Sequence, residues 1–487
     1  MCSSDLLSVS PECYPLMKKG GLADVVGALP GALAPHDVDM RVLMPAYPGV
    51  RERLTDVSTV GPLSKGFGGD ARIVTGEFGE TRVLLVDAPH LFDRPGGPYL
   101  GPDGRDWPDN HRRFGALSRA AADLALGDVV LPDGWRPDVV HLHDWQAALT
   151  AAYLRFDRRA ATAPPTVLTI HNLAFQGVFP RASAIELGLP SQAMLPEGAE
   201  YWGSLSFLKA GVQWCDRITT VSPTYAREIL TPEHGMGFDG LLRLRAEHLT
   251  GIVNGLDTTV WDPSTDPYLV APYSSRRLHP KAENKRALQT ELGLDVRDES
   301  PLFCVVSRLT TQKGLDLLLE ALEHVLWRGA QCAVLGTGDP LLELTFRKAA
   351  LVRPEQIAAV IGYDEALAHR LQAGADAIVV PSRFEPCGLT QLSGLRYGTL
   401  PVVSRVGGLA DTVIDANEAA LRDGVGTGFV FSPVDAHQLG VALDRACDVF
   451  FDRPRWQRMQ RRAMTRDVGW DASAEAYREI YASLRRA

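Results

Sequence analysis

Apolar residues in this chain gather into short runs rich in β-branched side chains, and most runs stop at glycine, proline or a polar residue. The first half predicts strands in MRVLMPAYP (40–48), TRVLLVDAPH (81–90), DVVHLHDW (138–145), TVLTIHN (166–172) and RITTVSPT (217–224). The second half predicts them in PLFCVVSRL (301–309), CAVLGTGD (332–339), IAAVIGY (357–363), DAIVVPSRF (376–384) and LPVVSRVGG (400–408). Near-continuous hydrophobicity is what strands buried on both faces of a parallel sheet require. Helix-period stretches lie between them, as at 313–328 and 364–373. Strand alternating with helix predicts an α/β fold of parallel sheets joined by right-handed crossovers.

The alternation occurs twice. Between the two series, 254–280 is irregular and rich in turn formers, and it reads as an interdomain connection. The expected domains are 1–252 and 253–469, each a parallel α/β unit, with a last helix over 471–487 that belongs to neither strand series. The length of 487 residues supports this, since domains average about 150 residues. Fifty Lys and Arg against 59 Asp and Glu give a net charge of −9, which argues against a general nucleic-acid or membrane-surface binder. Seven cysteines without a CxxC pair fit a reducing compartment, and no run is long or apolar enough to span a bilayer. With no signal-peptide pattern at the start, a cytoplasmic protein is expected.

Open parallel sheets bind ligands beyond the C-terminal ends of their strands. The polar residues there are His141, His143 and Asp144; His171 and Asn172; Ser222; Asn254; Ser307, Arg308 and nearby Lys313; Gly336, Gly338 and Asp339; Tyr363; and Arg383 with Glu385. SRLTTQKGL (307–315) sets two cations between a strand end and a helix start, a natural diphosphate clamp that lacks the Walker A spacing. In RFEPCGLTQ (383–391) the amides of Gly388, Leu389 and Thr390 are placed to hold phosphate oxygens. Glu385 then either meets sugar hydroxyls or caps a helix. HLHDW (141–145) offers two imidazoles, but no third metal ligand follows at strand or helix spacing. Finally, KGGLADVV (19–26) and VGGLADTV (406–413) share GGLAD. The echo is either a common loop-to-helix turn or a pair of helix N-termini facing one anion.

Longer stretches carry a resemblance. KKGGLADVVGALP (18–30), VVHLHDWQAAL (139–149), TIHNLAFQGVF (169–179), FLKAGVQWCDRITTVSPTYAREI (207–229), VNGLDTTVWDP (253–263), KAENKRALQ (281–289), VVSRLTTQKGLDL (305–317), VPSRFEPCGLTQL (380–392) and YGTLPVVSRVGGLADTV (397–413) run in order along the chain. Together they resemble the bacterial glycogen synthases, the retaining glucosyltransferase family that includes plant starch synthases. The resemblance implies a GT-B architecture, two Rossmann-like domains around a deep cleft, with the last helix packing back onto the first domain. It implies transfer of glucose from ADP-glucose to the non-reducing-end 4-hydroxyl of glycogen or a maltooligosaccharide, with retention and without a metal or other cofactor. By the same carry-over Lys18, Gly20, Gly21 and Asp24 approach the donor diphosphate. Asp144, His171, Asn254 and Glu385 surround the transferred glucose, Arg308 and Lys313 neutralise the departing ADP, Tyr363 stacks near adenine, and Gly388 to Thr390 bind phosphate.

Three departures from the family pattern stand out. Lys19 occupies the place of a usual threonine, Pro11-Glu12 that of a usual Ser-Glu, and MCSSDL lacks the apolar opening of a first strand. The first strand is therefore expected to be short, or residues 1–5 foreign to it. UDP-glucose as donor and a non-catalytic glucan-binding protein are the competing readings. A phosphorylase would need a pyridoxal-phosphate lysine and a longer chain. A dinucleotide dehydrogenase would need a GxGxxG after a strand, and none is present.

Overall fold

The computed structural model describes residues 4–485, and these divide into two compact units. Unit 1 runs to Gly255 and resumes at Trp470; unit 2 is Leu256–Gly469. The first boundary therefore falls three residues beyond the expected one, and the 256–280 stretch belongs to unit 2 rather than standing between units.

Unit 1 contains β1 (Ser4–Val9), β2 (Val38–Pro45), β3 (Thr55–Pro62), β4 (Arg72–Phe78), β5 (Thr81–Asp87), β6 (Val139–His143) and β7 (Thr166–Ile170). A small antiparallel sheet of β8 (Val178–Pro180), β9 (Glu200–Tyr201) and β10 (Ser204–Ser206) follows, then β11 (Arg217–Thr220) and β12 (Leu249–Gly251). The main sheet has the order β12-β11-β7-β6-β1-β2-β5-β4-β3. From β12 to β5 every pairing is parallel, whereas β4 and β3 form an antiparallel margin. The strand order reverses direction between β1 and β6, and such a reversal opens a crevice at the strands' C-terminal ends.

The expected weakness of the first strand is corrected here. Ser4–Val9 is a full central strand, paired along its length with β2 and from Leu6 to Val9 with β6. Leu6, Leu7, Ser8 and Val9 are all buried, so four residues of core suffice when both neighbours supply hydrogen bonds. Residues 1–3 lie outside the described part of the chain.

The last helix, Asp471–Arg485, belongs to unit 1. Trp470, Ala474, Tyr477, Tyr481 and Leu484 form one buried cluster with Leu6, Val25, Leu29 and Val139. Ser473 Oγ donates to the Val253 carbonyl at 2.6 Å, and Tyr481 OH meets His141 Nδ1 at 2.8 Å.

Unit 2 has one six-stranded sheet: β13 (Leu302–Val306), β14 (Gln331–Gly336), β15 (Ile357–Ile361), β16 (Ala377–Val380), β17 (Leu400–Ser404) and β18 (Phe429–Phe431). All pairings are parallel and the order is β15-β14-β13-β16-β17-β18. Renumbered within the unit this is 3-2-1-4-5-6, the Rossmann order, with its reversal between β13 and β16. Helices Leu315–Trp327 and Ala436–Phe451 pack on one face of the sheet, where their leucines and alanines join Phe303, Val305 and Val402 in a single core.

Candidate active site

In unit 1 the reversal point is flanked by the loop after β1 and the turn after β6. The β6 strand ends at His143, and Asp144 is already the first residue of helix Asp144–Arg155. Asp144 makes this turn with φ +57°, a left-handed conformation that Asp tolerates better than most side chains do. Its Oδ1 accepts the His171 N–H at 2.7 Å and the Asn172 N–H at 3.4 Å, which ties the end of β6 to the end of β7. Burial outweighs those hydrogen bonds and pushes the Asp144 carboxyl up to about 7. His171 is also buried, and desolvation lowers its imidazole to about 3, so it is neutral.

The β1 loop is organised by a residue that composition alone gave no reason to single out. Glu12 is buried, and its Oε2 accepts the N–H groups of Lys19 and of Gly20, the latter at 3.3 Å. Its Oε1 accepts the Tyr99 hydroxyl. Desolvation raises the Glu12 carboxyl above its ordinary range. Helix Gly21–Leu33 starts directly after this loop. Lys18 Nζ pairs with Asp24 Oδ1 at 2.8 Å and lies 4.9 Å from the centre of the Tyr14 ring, whereas Lys19 is exposed. Asn254, beyond β12, is buried, and its Oδ1 has no hydrogen-bond donor among the described residues. Unit 1 thus gathers Glu12, Lys18, Asp24, Asp144 and His171 in the loops and first helical turns that follow its central strands.

In unit 2 the reversal point brings together the loops after β13 and β16. Lys313 Nζ lies 2.5 Å from Glu385 Oε2, and the same oxygen accepts the Ser382 hydroxyl at 2.8 Å. Glu385 therefore meets neither a helix terminus nor an isolated pocket; its charge is matched by the lysine. Arg308 is exposed, and its guanidinium has no carboxylate partner among the described residues. Arg383 does not join the clamp. It grips Asp316 with two bonds of 2.7 and 2.6 Å and the Thr311 carbonyl at 2.7 Å, holding the loop that carries Arg308 and Lys313. Gly314 (φ +67°) sits where a Cβ would lie 1.9 Å from the Pro381 carbonyl, so only glycine lets this loop seat on the end of β16.

Gly388, Leu389 and Thr390 lead into helix Thr390–Tyr397 at a half-buried position. Tyr363 is 76% exposed, with its hydroxyl 2.5 Å from Glu365 Oε2. The GGLAD echo resolves into two different devices. In unit 1 the turn delivers amides to Glu12. In unit 2 the helix Gly407–Thr412 is short, and the Gly408 N–H is already used by the Glu385 and Pro386 carbonyls at 3.1 Å each. The reading of two free helix N-termini facing one anion is not supported at the second copy.

Residues 5–244 match the model of the starch synthase catalytic domain, and residues 293–461 that of glycosyl transferases group 1. A glycogen synthase of Rhodopseudomonas palustris (strain HaA2) is 52% identical over 484 residues, 99% of each chain. One of Roseobacter denitrificans is 53% identical over 479 residues, 98% of this chain and 99% of the relative. The chain belongs to the glycogen and starch synthase family. It is a hexosyltransferase with the GT-B fold. The catalytic domain of Arabidopsis thaliana starch synthase IV, bound to ADP and acarbose, matches with a TM-score of 0.89 at 31% identity over 100% of both chains. Sucrose-phosphate synthase from Thermosynechococcus elongatus, at 18% identity and a TM-score of 0.58 over 99% of this chain, shares the fold. As a member of this family the protein works with a nucleotide-sugar donor and a glucan acceptor.

Sequence reasoning missed Glu12, Tyr99 and the Arg383–Asp316 pair. Glu12 had been noted only as a departure in the loop, and Tyr99 lies in an irregular stretch with no periodicity to place it. The sequence places His143 among the strand-end residues and in a His-x-His pair, but gives no sign of its bond to His171. Among the described residues no group of His, Cys, Asp and Glu is arranged to hold a metal ion.

Proposed function

We propose that this protein transfers glucose from ADP-glucose to the 4-hydroxyl at the non-reducing end of an α-1,4-glucan, with retention and without a metal. The observation that carries the reading is the unit 2 set: exposed Arg308 beside Lys313, whose ammonium is held by Glu385 at 2.5 Å. Cleaving the glucose–phosphate bond builds negative charge on the departing diphosphate. Two cations at a strand end stabilise that charge more in the transition state than in the ground state, which is the role a metal fills in other transferases. Glu385 keeps Lys313 aimed, and its second oxygen is left to orient a sugar hydroxyl. The amides of Gly388 to Thr390 bind phosphate, and Tyr363 lies against the base.

In unit 1, Lys18, Gly20 and Gly21 approach the diphosphate while Asp144, His171 and Asn254 bind the glucosyl hydroxyls. Asn254 Oδ1, buried and without a donor among the described residues, suits a hydroxyl partner. The plant relative's complex with ADP and acarbose supports both a nucleotide and a glucan subsite. Free, buried thiols at Cys13, Cys215, Cys304, Cys332 and Cys447 support action in a reducing compartment such as the cytoplasm.

Side-by-side turnover of ADP-glucose and UDP-glucose with glycogen as acceptor tests this. ADP release with glycogen elongation is expected, with the higher kcat/KM for ADP-glucose. Preference for UDP-glucose would overturn the donor assignment, and no turnover of either would favour a non-catalytic glucan-binding role.

A further inference from the structure

The HLHDW segment places His141 and His143 on one face of β6, because alternate strand residues point the same way. Their rings lie 4.2 Å apart, yet they serve different partners. His141 bridges Tyr481 OH at 2.8 Å and Thr169 Oγ1 at 2.6 Å, joining the last helix to the sheet. His143 bridges Ser8 Oγ at 3.1 Å and His171 Nε2 at 2.9 Å.

We propose that His143 is a positioning residue for the donor sugar: with Ser8 it fixes the His171 ring as the Nδ1–H tautomer and leaves that N–H to donate to a glucosyl oxygen. The proposal rests on the reading of His171 as a donor contact. Burial keeps His143 and His171 neutral, so each ring has one donor and one acceptor nitrogen. Ser8 is fully buried, and His143 Nε2 is the partner its hydroxyl meets. An O–H withheld from an acceptor in a dry interior is costly, so Ser8 donates to His143 Nε2. His143 must then carry its proton on Nδ1 and donate it to His171 Nε2. His171 is left with its proton on Nδ1, for which no acceptor is found among the described residues. Its backbone is pinned separately, by the 2.7 Å bond from its N–H to Asp144 Oδ1. Ring and main chain are thus held from two directions, the arrangement that makes a hydrogen-bond donor effective without reorganisation.

The test is a double-mutant cycle of H143L and H171A together with ¹⁵N spectra of the histidine side chains in the full-length protein. H143L alone should lower kcat/KM for ADP-glucose about tenfold, the worth of one well-made hydrogen bond, and should add nothing in the H171A background. The spectra should show His171 as a single neutral Nδ1–H tautomer in the wild type and a mixture in S8A. Equal losses from H143L with and without His171, or no loss at all, would overturn the proposal, because a purely structural role does not depend on His171. If H143L does not fold, S8A decides: an unchanged His171 tautomer there also overturns it. Undiminished activity in H171A would instead remove the donor-contact reading itself.

Discussion

Asp144 is a carboxylate that folding disfavours. It is buried, it sits at φ +57°, and desolvation lifts its pKa from an ordinary 3.8 to about 7. Strain and desolvation gathered in one residue are expected where function sets the requirement. Because the folded-state pKa is raised, this group's contribution to stability is greatest below the unfolded value. It is lost as pH rises through about 7. Asp144→Asn keeps both the left-handed turn and the acceptor for the His171 N–H but carries no charge. It should therefore raise Tm by a few degrees at pH 8, have little effect near pH 4, and abolish most activity. Calorimetry over a pH series checks this, and a Tm difference independent of pH would refute the desolvation argument. The lysine pair gives a second contrast. Lys19 contributes its backbone N–H to Glu12 while its side chain is exposed, so Lys19→Thr should leave the KM for ADP-glucose almost unchanged. Lys18 sits beside Asp24 at the start of the helix, and Lys18→Ala should raise that KM about tenfold, the worth of a charge-assisted contact. Equal losses in steady-state kinetics would show that the ammonium of Lys19 reaches the donor as well as that of Lys18, and that the loop has been misread.

At the scale of elements, all ten strands expected from hydrophobic runs are present, because doubly covered parallel strands advertise themselves. All ten stop earlier than the run does. DVVHLHDW ends as a strand at His143, and Asp144–Trp145 already turn into the next helix, so the functional residues lie just past the pairing. The margin strands β3 and β4 gave no such signal: β3 is largely exposed and reads TDVSTVGP. Contacts between elements were the least legible, since nothing in RFEPCGLTQ or QKGLDL says that Arg383 will reach Asp316. That pair holds the β13 loop from outside the site. Arg383→Lys keeps the charge but loses the two-pronged geometry. It should lower kcat about tenfold and speed amide exchange over 308–314, as should Asp316→Asn, while the double variant should be no worse than either single one. A normal kcat in R383K would mean that the loop is held by its own turns and by the fit of Gly314 on β16.

The chain leaves unit 1 after Gly255 and re-enters it at Trp470, so unit 2 is one continuous insertion and unit 1 is assembled from two distant segments. Unit 2 has its own closed set of helices and cores, and 256–469 expressed alone should fold with a cooperative thermal transition. Residues 1–255 alone should not. Without the last helix, Leu6, Val25, Leu29 and Val139 lose the cover of Tyr477, Tyr481 and Leu484. Each large side chain left exposed forfeits about 1.5–3 kcal/mol, several of which exceed a typical margin of stability. His141 also loses the Tyr481 hydroxyl, leaving a buried ring nitrogen without its partner. The repair is short, because Ser473 Oγ already touches the Val253 carbonyl at 2.6 Å. Joining 1–255 to 470–487 through a brief glycine-serine linker should therefore restore a cooperative transition. Thermal unfolding of the two chains side by side decides the matter. If 1–255 melted as cooperatively and at the same temperature as the joined chain, the last helix would be an ornament on unit 1 rather than part of its core.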